Sequence, residues 1–325
     1  MQDLVSIIIP TYNRDHLIGE TLDSIQGQTY TNWECIVIDD RSTDYTEELL
    51  SFYCSRDTRI RYFSLPEDRL KGANSCRNYG FELSKGNRII WFDSDDLMLP
   101  GFVSKGIQLF EKYPDTDLVV SDYDIFNNED NVVFHRQRNK IDQLEQDYFS
   151  GKVNFGNWAA IWKRAIVKNT KFDESLSRAQ ELDFHFRIFS SLNLNWKQLK
   201  GVNVKVRRHK DSLTTQFHKA NLASLKSELR VRRKILSFLI ENNYAKETVD
   251  AAFRIYLNTL RTLYRNHALK NSISELRELE KVLNKSLSYL KWEAYFLFLL
   301  YIYKFTGRDH KLKNHLFKLS RFADV

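Results

Sequence analysis

The feature that most restricts this chain is a repeated alternation. Short runs of β-branched and aromatic residues, apolar on both faces, occupy residues 5–10, 35–38, 60–63, 88–92 and 118–120, and amphipathic patterns fall between them near 16–25, 46–53, 73–83 and 101–112. A strand without a polar face must be covered on both sides, and strands separated by helices pair in parallel. The expected fold is therefore α/β, a mostly parallel sheet flanked by helices. Ligands of such sheets bind outside the carboxyl ends of the strands. Polar clusters stand at three such ends: Pro10-Thr11-Tyr12-Asn13-Arg14, Asp39-Asp40-Arg41-Ser42 and Asp93-Ser94-Asp95-Asp96.

With 325 residues, of which 42% are hydrophobic and 14% aromatic, the chain can bury a large core. Four prolines, 11 glycines and no evident repeat exclude solenoid and low-complexity architectures. Cys35, Cys54 and Cys76 are odd in number and widely spaced, so neither a disulfide framework nor a zinc site is expected, and a reducing cytoplasmic setting fits. The first residues pass directly into a strand-like run, which speaks against a signal peptide.

After about residue 216 the pattern changes to long helical stretches, 222–241 and 247–265. Two regions are expected, 1–215 and a helical C-terminal region, 216–325. The net charge of +7 is unevenly placed: residues 221–325 carry 20 Lys and Arg against 10 Asp and Glu, and the remainder 29 against 32. An acidic partner is thus expected for the C-terminal region alone. Residues 294–303 are continuously apolar but shorter than the roughly 20 residues needed to span a bilayer. With the surrounding Trp292, Tyr295, Lys291, Lys304 and Arg308 they suggest a patch resting on an anionic membrane surface, or equally a buried bundle helix or homodimer contact.

Three carboxylates within four positions raise one another's pKa unless a cation or hydrogen-bond donors compensate them. A divalent metal does so, and oxygen-only ligands suit Mg²⁺ or Mn²⁺, of which Mg²⁺ is commonly held by one or two carboxylates plus substrate phosphates. In an extended segment Asp93 and Asp95 share a side; a turn after Phe92 would splay them. Taken out of context, the same residues would serve as cap and acidic first turn of the helix that Pro100 and Gly101 begin.

The succession VSIIIPTYNR (5–14), QTY (28–30), VIDDRSTD (37–44), GANSCRNYG (72–80) and WFDSDD (91–96) resembles the family 2 glycosyltransferases, over roughly residues 4–215. The resemblance implies a GT-A (Rossmann-like) fold and a nucleotide-sugar donor. By it, Pro10, Thr11, Tyr12 and Arg14 would line the nucleobase and ribose pocket, and Asp40, supported by Asp39, would accept from a uracil-like edge or ribose. Arg77 looks like the donor-site arginine, with Asn74 and Asn78 beside it. Asp93-Ser94-Asp95 resembles the DxD motif, Asp93 towards ribose and metal and Asp95 directly on Mn²⁺ or Mg²⁺. Without that context Tyr12 would be core packing, Arg77 a surface ion pair, and Asp39-Asp40 the start of a turn.

The acceptor side is implied by residues 157–164, with Asn157 and Trp158 as acceptor contacts, by Phe172-Asp173-Glu174, and by residues 179–187. Here the chain departs from the family's acidic pair: Gln180 stands at the first acid, and Glu181 aligns with the catalytic position, with Asp183 as the substitute candidate. A carboxylate at a helix N-terminus can be aimed at an acceptor hydroxyl that must lose its proton. The tail Val206-Arg207-Arg208-His209 is similar to the family's closing segment, with His209 as a further metal ligand and Arg207 or Arg208 as a charge clamp on the pyrophosphate.

The function so implied is inverting transfer of a sugar, most readily from a UDP-sugar, to a glycan or lipid-linked acceptor in bacterial surface polysaccharide or glycoconjugate assembly, in the cytoplasm or at the inner face of the membrane. A nucleotidyltransferase with the same carboxylate site and a catalytically weak nucleotide-sugar-binding protein are the alternatives. Nucleic-acid binding is not expected, because residues 1–220 are net acidic and no aromatic RNA motif is present.

Overall fold

The structure is a computed structural model that describes residues 2–127, 132–136, 141, 143–208, 221–267 and 269–282. In chain order the elements are β1 (Val5–Thr11), α1 (Ile18–Gln26), β2 (Trp33–Asp39), α2 (Thr46–Arg56), β3 (Ile60–Ser64), α3 (Ala73–Leu83), β4 (Arg88–Trp91), β5 (Leu97–Met98), α4 (Phe102–Lys112), β6 (Leu118–Phe126) and β7 (Val132–Arg136). There follow α5 (Leu144–Phe149), a 3₁₀ turn (Asn157–Ala159), β8 (Ala160–Lys163), α6 (Arg164–Val167), α7 (Gln180–Phe189), β9 (Trp196–Arg207), α8 (Leu222–Glu241), α9 (Lys246–His267) and α10 (Leu269–Val282).

Two compact units result. The first holds residues 1–142, 155–176 and 180–215; the second holds 143–154, 177–179 and the chain from 216 onward. Two short excursions of the N-terminal part, one of them α5, thus belong to the second unit.

The first unit is built on one sheet of nine strands, ordered β3-β2-β1-β4-β8-β6-β9-β5, with β7 on the free end of β6. β3, β2, β1 and β4 are parallel, as the alternating pattern predicts. Beyond β4 the sheet is mixed: β8 runs antiparallel to β4 and β6, β9 parallel to β6, and β5 antiparallel to β9. Every residue of β1 and β2 is buried, which explains their unbroken apolar runs. The polar exceptions Ser6 and Glu34 satisfy each other at 2.6 Å, and Glu34 also accepts from the Lys85 amide at 2.6 Å and pairs with Arg61 at 2.6 Å. This cluster lies at the amino end of the sheet, opposite the polar strand ends.

Because β1 is flanked by β2 on one side and β4 on the other, the chain direction of strand addition reverses there, and a crevice opens at the carboxyl ends. Small residues bring the helices down onto the sheet. A Cβ at Gly80 in α3 would sit 2.4 Å from Ile8 Cγ2, and one at Gly106 in α4 would sit 2.3 Å from Ile161 Cδ1. Gln28 ties the corner between β5 and α4, donating to the Leu99 carbonyl at 2.8 Å and accepting from the Val103 amide at 3.2 Å.

The described residues of the second unit are mainly helical, with the long stretches at the expected places. Its core includes Leu225, Leu229, Leu236, Tyr256 and Leu260. Glu228 is buried within it and is compensated by Arg178 and Arg232, each at 2.7 Å. Among the described residues no helix is long and apolar enough to cross a membrane. The apolar run 294–303 and its surrounding aromatic and basic residues lie outside the described residues.

The close approach of α4 to β8 is testable. Gly106→Ala should lower the unfolding free energy by about 1–3 kcal/mol in urea titration, the usual cost of overpacking a filled core. Adding Ile161→Val removes the clashing methyl and should recover most of that loss; an unchanged loss in the double variant would show that the methyl contact is not its cause.

Candidate active site

Three strand ends meet at the crevice. Thr11 closes β1 and lies in register with Asp39 at the end of β2, and the Asp40 amide donates to the Thr11 carbonyl at 2.8 Å. Asp39 is spent on its own turn: its carboxylate accepts from the Ser42 amide at 3.0 Å and from the Ser42 hydroxyl. Asp40 has a different environment. Its Oδ2 accepts from the Gly72 amide at 2.8 Å, a contact made possible by the glycine's φ of 129°, while its Oδ1 is buried without a hydrogen-bond partner. Burial raises the Asp40 pKa. Thr11 Oγ1 and Ser75 Oγ nearby are also buried without partners. Buried polar atoms are normally paired, so these mark where a ligand's polar edge would fit. Tyr12 beside them is 49% exposed and therefore offers its ring instead of packing in the core. Arg14 donates from its amide to Thr46 Oγ1 at 3.0 Å and from its guanidinium to the Asn13 carbonyl at 3.2 Å.

Arg77, on the first turns of α3, is buried and spans the crevice. It donates to Asp93 Oδ1 at 3.0 Å, to Asn74 Oδ1 at 3.3 Å and to Gln180 Oε1 at 3.2 Å, and its Nε is buried without a partner. Asn78 behaves otherwise. Its amide donates to the Phe172 carbonyl and Glu174 Oε1 at 3.0 and 2.8 Å and accepts from the Phe172 amide at 2.8 Å, so it clamps residues 172–174. Asn74 likewise donates to the Asp173 carbonyl at 2.7 Å.

The acidic turn follows β4. Burial raises the Asp93 pKa, with the neighbouring Asp95 charge adding to it against Arg77. Asp96 is raised well above the carboxylate range by burial and by Asp95, Asp93 and Glu181. Ser94 is buried between them. Asp96 holds the end of β9, accepting from the Arg207 amide at 2.8 Å. The Arg207 side chain donates to the Asp95 carbonyl at 3.0 Å and pairs with Glu20 at 2.5 Å. The structure thus places Arg207 as a staple beneath the turn, its charge engaged by α1. Arg208 is exposed, and His209 lies outside the described residues.

Glu181 enters from the start of α7. Its Oε1 accepts from the Asn157 amide at 2.9 Å, and a Cβ at Gly156 would stand 3.0 Å from its Oε2. Burial first, then the Asp93 charge, raises its pKa to about 7. Asp183 points elsewhere: it is buried and paired with Arg187 at 2.8 Å. Trp158 lies edge-on to Tyr123 with ring centroids 4.5 Å apart. Asn157 is buried; its Oδ1 meets His185 Nε2 at 3.0 Å, and its Nδ2 has no partner.

Among the described residues no three His, Cys, Asp or Glu side chains converge into a metal cage. Asp93 and Asp95 nonetheless suit a metal completed by a ligand's phosphates, since Mg²⁺ is ordinarily held by one or two carboxylates in that way. The mutual elevation of carboxylate pKa values here is the electrostatic deficit that such a cation removes.

Sequence reasoning passed over Glu20 and His185, and it marked Gln180 and Glu174 only as motif positions, without their partners. Nothing in the spacing shows what these side chains touch, because each contact reaches 28 or more residues along the chain.

The family model described as glycosyl transferase family 2 matches residues 6–170. The UDP-Glc:alpha-D-GlcNAc-diphosphoundecaprenol beta-1,3-glucosyltransferase WfgD of Escherichia coli is 36% identical over 126 residues, 38% of this chain and 47% of that protein. The matched part of the chain spans less than two thirds of the length of the first curated relatives. Among solved structures, S. aureus TarS 1-349 in complex with UDP-GlcNAc aligns with a TM-score of 0.63 at 17% identity, over 98% of this chain and 91% of that one. The mannosyltransferase PcManGT of Pyrobaculum calidifontis, in complex with GDP-Man and Mn²⁺, gives a TM-score of 0.53 at 16% identity over 95% and 88%. These structures share the fold.

The buried imidazole of His185 yields a pH prediction. Burial lowers its pKa from the usual 6.5 to about 3. Between those values the unfolded chain binds a proton that the native state refuses, so stability rises with pH across the window and is lost as pH falls. This group should contribute a slope of up to about 1.4 kcal/mol per pH unit below pH ~6.5 in urea unfolding. His185→Gln should flatten that slope; equal slopes in both proteins would exclude a neutral buried imidazole.

Proposed function

This chain belongs to glycosyl transferase family 2, and on that premise we propose that it is an inverting, metal-dependent enzyme that moves a sugar from a UDP-sugar to a hydroxyl of a glycan or lipid-linked acceptor. The observation that carries this reading is the meeting of the Arg77–Asp93 pair with Glu181, a carboxylate whose pKa burial and Asp93 raise to about 7. A cation for a departing diphosphate and a base for an incoming hydroxyl stand at one crevice.

Asp40 Oδ1 and Thr11 Oγ1 take the nucleobase edge, an acceptor beside a hydroxyl that can donate, which complements the N–H and carbonyl of uracil. Tyr12 offers its exposed ring to the base. Asp93 and Asp95, with His209 as a further candidate ligand, would hold a Mn²⁺ or Mg²⁺ ion, which would supply positive charge to the diphosphate. Arg77 stabilises the negative charge that develops on the leaving oxygen. The acceptor oxygen bonds to the anomeric carbon as the carbon–oxygen bond to the diphosphate breaks, and Glu181, held at Oε1 by the Asn157 amide, takes the hydroxyl proton. One displacement inverts the anomeric centre. Asn157 and Trp158 flank the acceptor side. The UDP-Glc donor and diphosphoundecaprenol-linked acceptor of the Escherichia coli relative support a UDP-sugar and a lipid-linked acceptor, and with such an acceptor the enzyme would work at the inner membrane face in surface glycan assembly. The GDP-Man complex of the Pyrobaculum calidifontis mannosyltransferase makes GDP-sugars the comparison set.

A thermal-shift screen of UDP-, GDP-, CMP- and dTDP-sugars, each with and without Mn²⁺, tests the donor, since a ligand of the native state raises its apparent stability. UDP-sugars should stabilise the protein only with metal, and Asp95→Ala should abolish the shift while remaining folded. Stabilisation by another nucleotide class, or without metal, would overturn the corresponding part. In turnover assays nucleoside diphosphate should be released; pyrophosphate would mark a nucleotidyltransferase.

Glu181→Gln should lower kcat by about 10²–10⁴ with donor affinity little changed. In the wild type kcat/KM should rise with pH and level off, with a midpoint no higher than about 7, because only the ionised carboxylate accepts the proton and a cation beside Asp93 would weaken the repulsion that raises Glu181. A variant as active as the wild type would remove Glu181 from the base role.

A further inference from the structure

Gln180 opens α7 one residue before Glu181, and its side chain reaches back to the donor arginine. Its Oε1 accepts from Arg77 Nη1 at 3.2 Å, and its Nε2 donates to the Leu176 carbonyl at 3.0 Å. The second contact fixes the first: with Nε2 committed to a carbonyl, only the oxygen of the amide can face the guanidinium. Arg77 is 7% exposed in its side chain, and three side chains accept from it: Asp93 at 3.0 Å, Asn74 at 3.3 Å and Gln180. Only Asp93 is a carboxyl group. Neutral amides orient a guanidinium through their dipoles without cancelling its charge, whereas a second carboxylate at the same distance would cancel it at close range.

We infer that Gln180 is a positioning residue for the donor, aiming the Arg77 guanidinium at the diphosphate site while leaving its charge opposed by one carboxylate alone. The inference rests on the glycosyl-transfer reading, because it requires a diphosphate at Arg77. It assigns to the chain's departure from an acidic pair a specific effect: position 180 links the arginine of the donor side to the helix that carries the base, and it does so without adding a negative charge next to Asp93 and Glu181. A glutamate of the same shape would accept equally well from Arg77. It would lose the donation to Leu176 and would place a second anion where the phosphates must come.

The test uses the full chain with two substitutions, Gln180→Glu and Gln180→Met, titrated calorimetrically with UDP and with uridine in the presence of Mn²⁺ at low and high ionic strength. Both variants lose the bond to Leu176, but only the first adds charge. Gln180→Glu should bind UDP about tenfold more weakly at low salt, with the gap narrowing at high salt, and should bind uridine, which has no phosphates, as the wild type does. Gln180→Met, which gives up the bond to Arg77 without adding charge, should lose about threefold at either ionic strength. The inference is overturned if Gln180→Glu binds UDP like the wild type, if Gln180→Met binds UDP like the wild type, or if uridine binding falls in parallel with UDP. A wild-type protein that binds neither UDP nor GDP with Mn²⁺ overturns the transfer reading itself, and the inference with it.

Discussion

Four carboxylates, Asp93, Asp95, Asp96 and Glu181, are gathered at the end of a buried strand, and much of the first unit can be understood as compensation for that crowding. Charge in such a setting is costly, and like charges add to the cost, which is why Asp93, Asp96 and Glu181 all have raised pKa values. Two arginines answer it from opposite sides. Arg207, at the end of β9, donates its amide to Asp96 and its guanidinium to the Asp95 carbonyl, and it is itself neutralised by Glu20 of α1. Arg77, from α3, faces Asp93 with otherwise neutral partners. The first fixes the shape of the turn; the second leaves positive charge for a ligand.

The sheet order turns these local contacts into a crevice. With β1 between β2 and β4, the ends bearing Thr11, Asp40 and Asp93 lie side by side, and Gly72 folds back onto Asp40 to shape the rim. Residues around the crevice divide into those with unspent polar atoms and those wholly engaged by the protein. Asp40, Thr11 and Arg77 belong to the first group. Asp39, Asn78, Asp183 and Arg207 belong to the second, each committed to a turn, a loop, a neighbouring arginine or a staple. Adjacent motif positions such as Asp39 and Asp40 therefore have different surroundings, the first engaged by its own turn and the second with an oxygen left over.

Legibility of the fold followed burial. β1, β2 and β4 were readable because a strand covered on both faces is apolar at nearly every position, and few other structures tolerate such a run; β3, where only Ile60 is buried, was marked by its β-branched and aromatic residues instead. β9 was not. Its twelve residues carry Lys197, Lys200 and Lys205, its burial is irregular, and Gly201 at φ 80° sits near a shift in its register with β6. The sequence pattern marks only residues 118–120 of β6, because Asp122 and Asp124 interrupt its apolar run, although both are buried. The antiparallel β8 is four residues long, too short for any periodicity to register.

By itself the sequence determined the parallel half of the sheet, the three polar strand ends and, through five motifs in order, the family to which the chain belongs. These are local properties: burial writes itself into hydropathy, and a strand end is marked by the residues that follow it. The tertiary structure decided which of the marked residues are free to act. Whether Glu181 or Asp183 faces the Asp93 side depends on Asn157 and Arg187, and whether Arg77 or Arg207 keeps charge to offer depends on Gln180 and Glu20. Such pairings join residues as far as 187 positions apart, and hydrogen-bond satisfaction across those separations has no signature in sequence order.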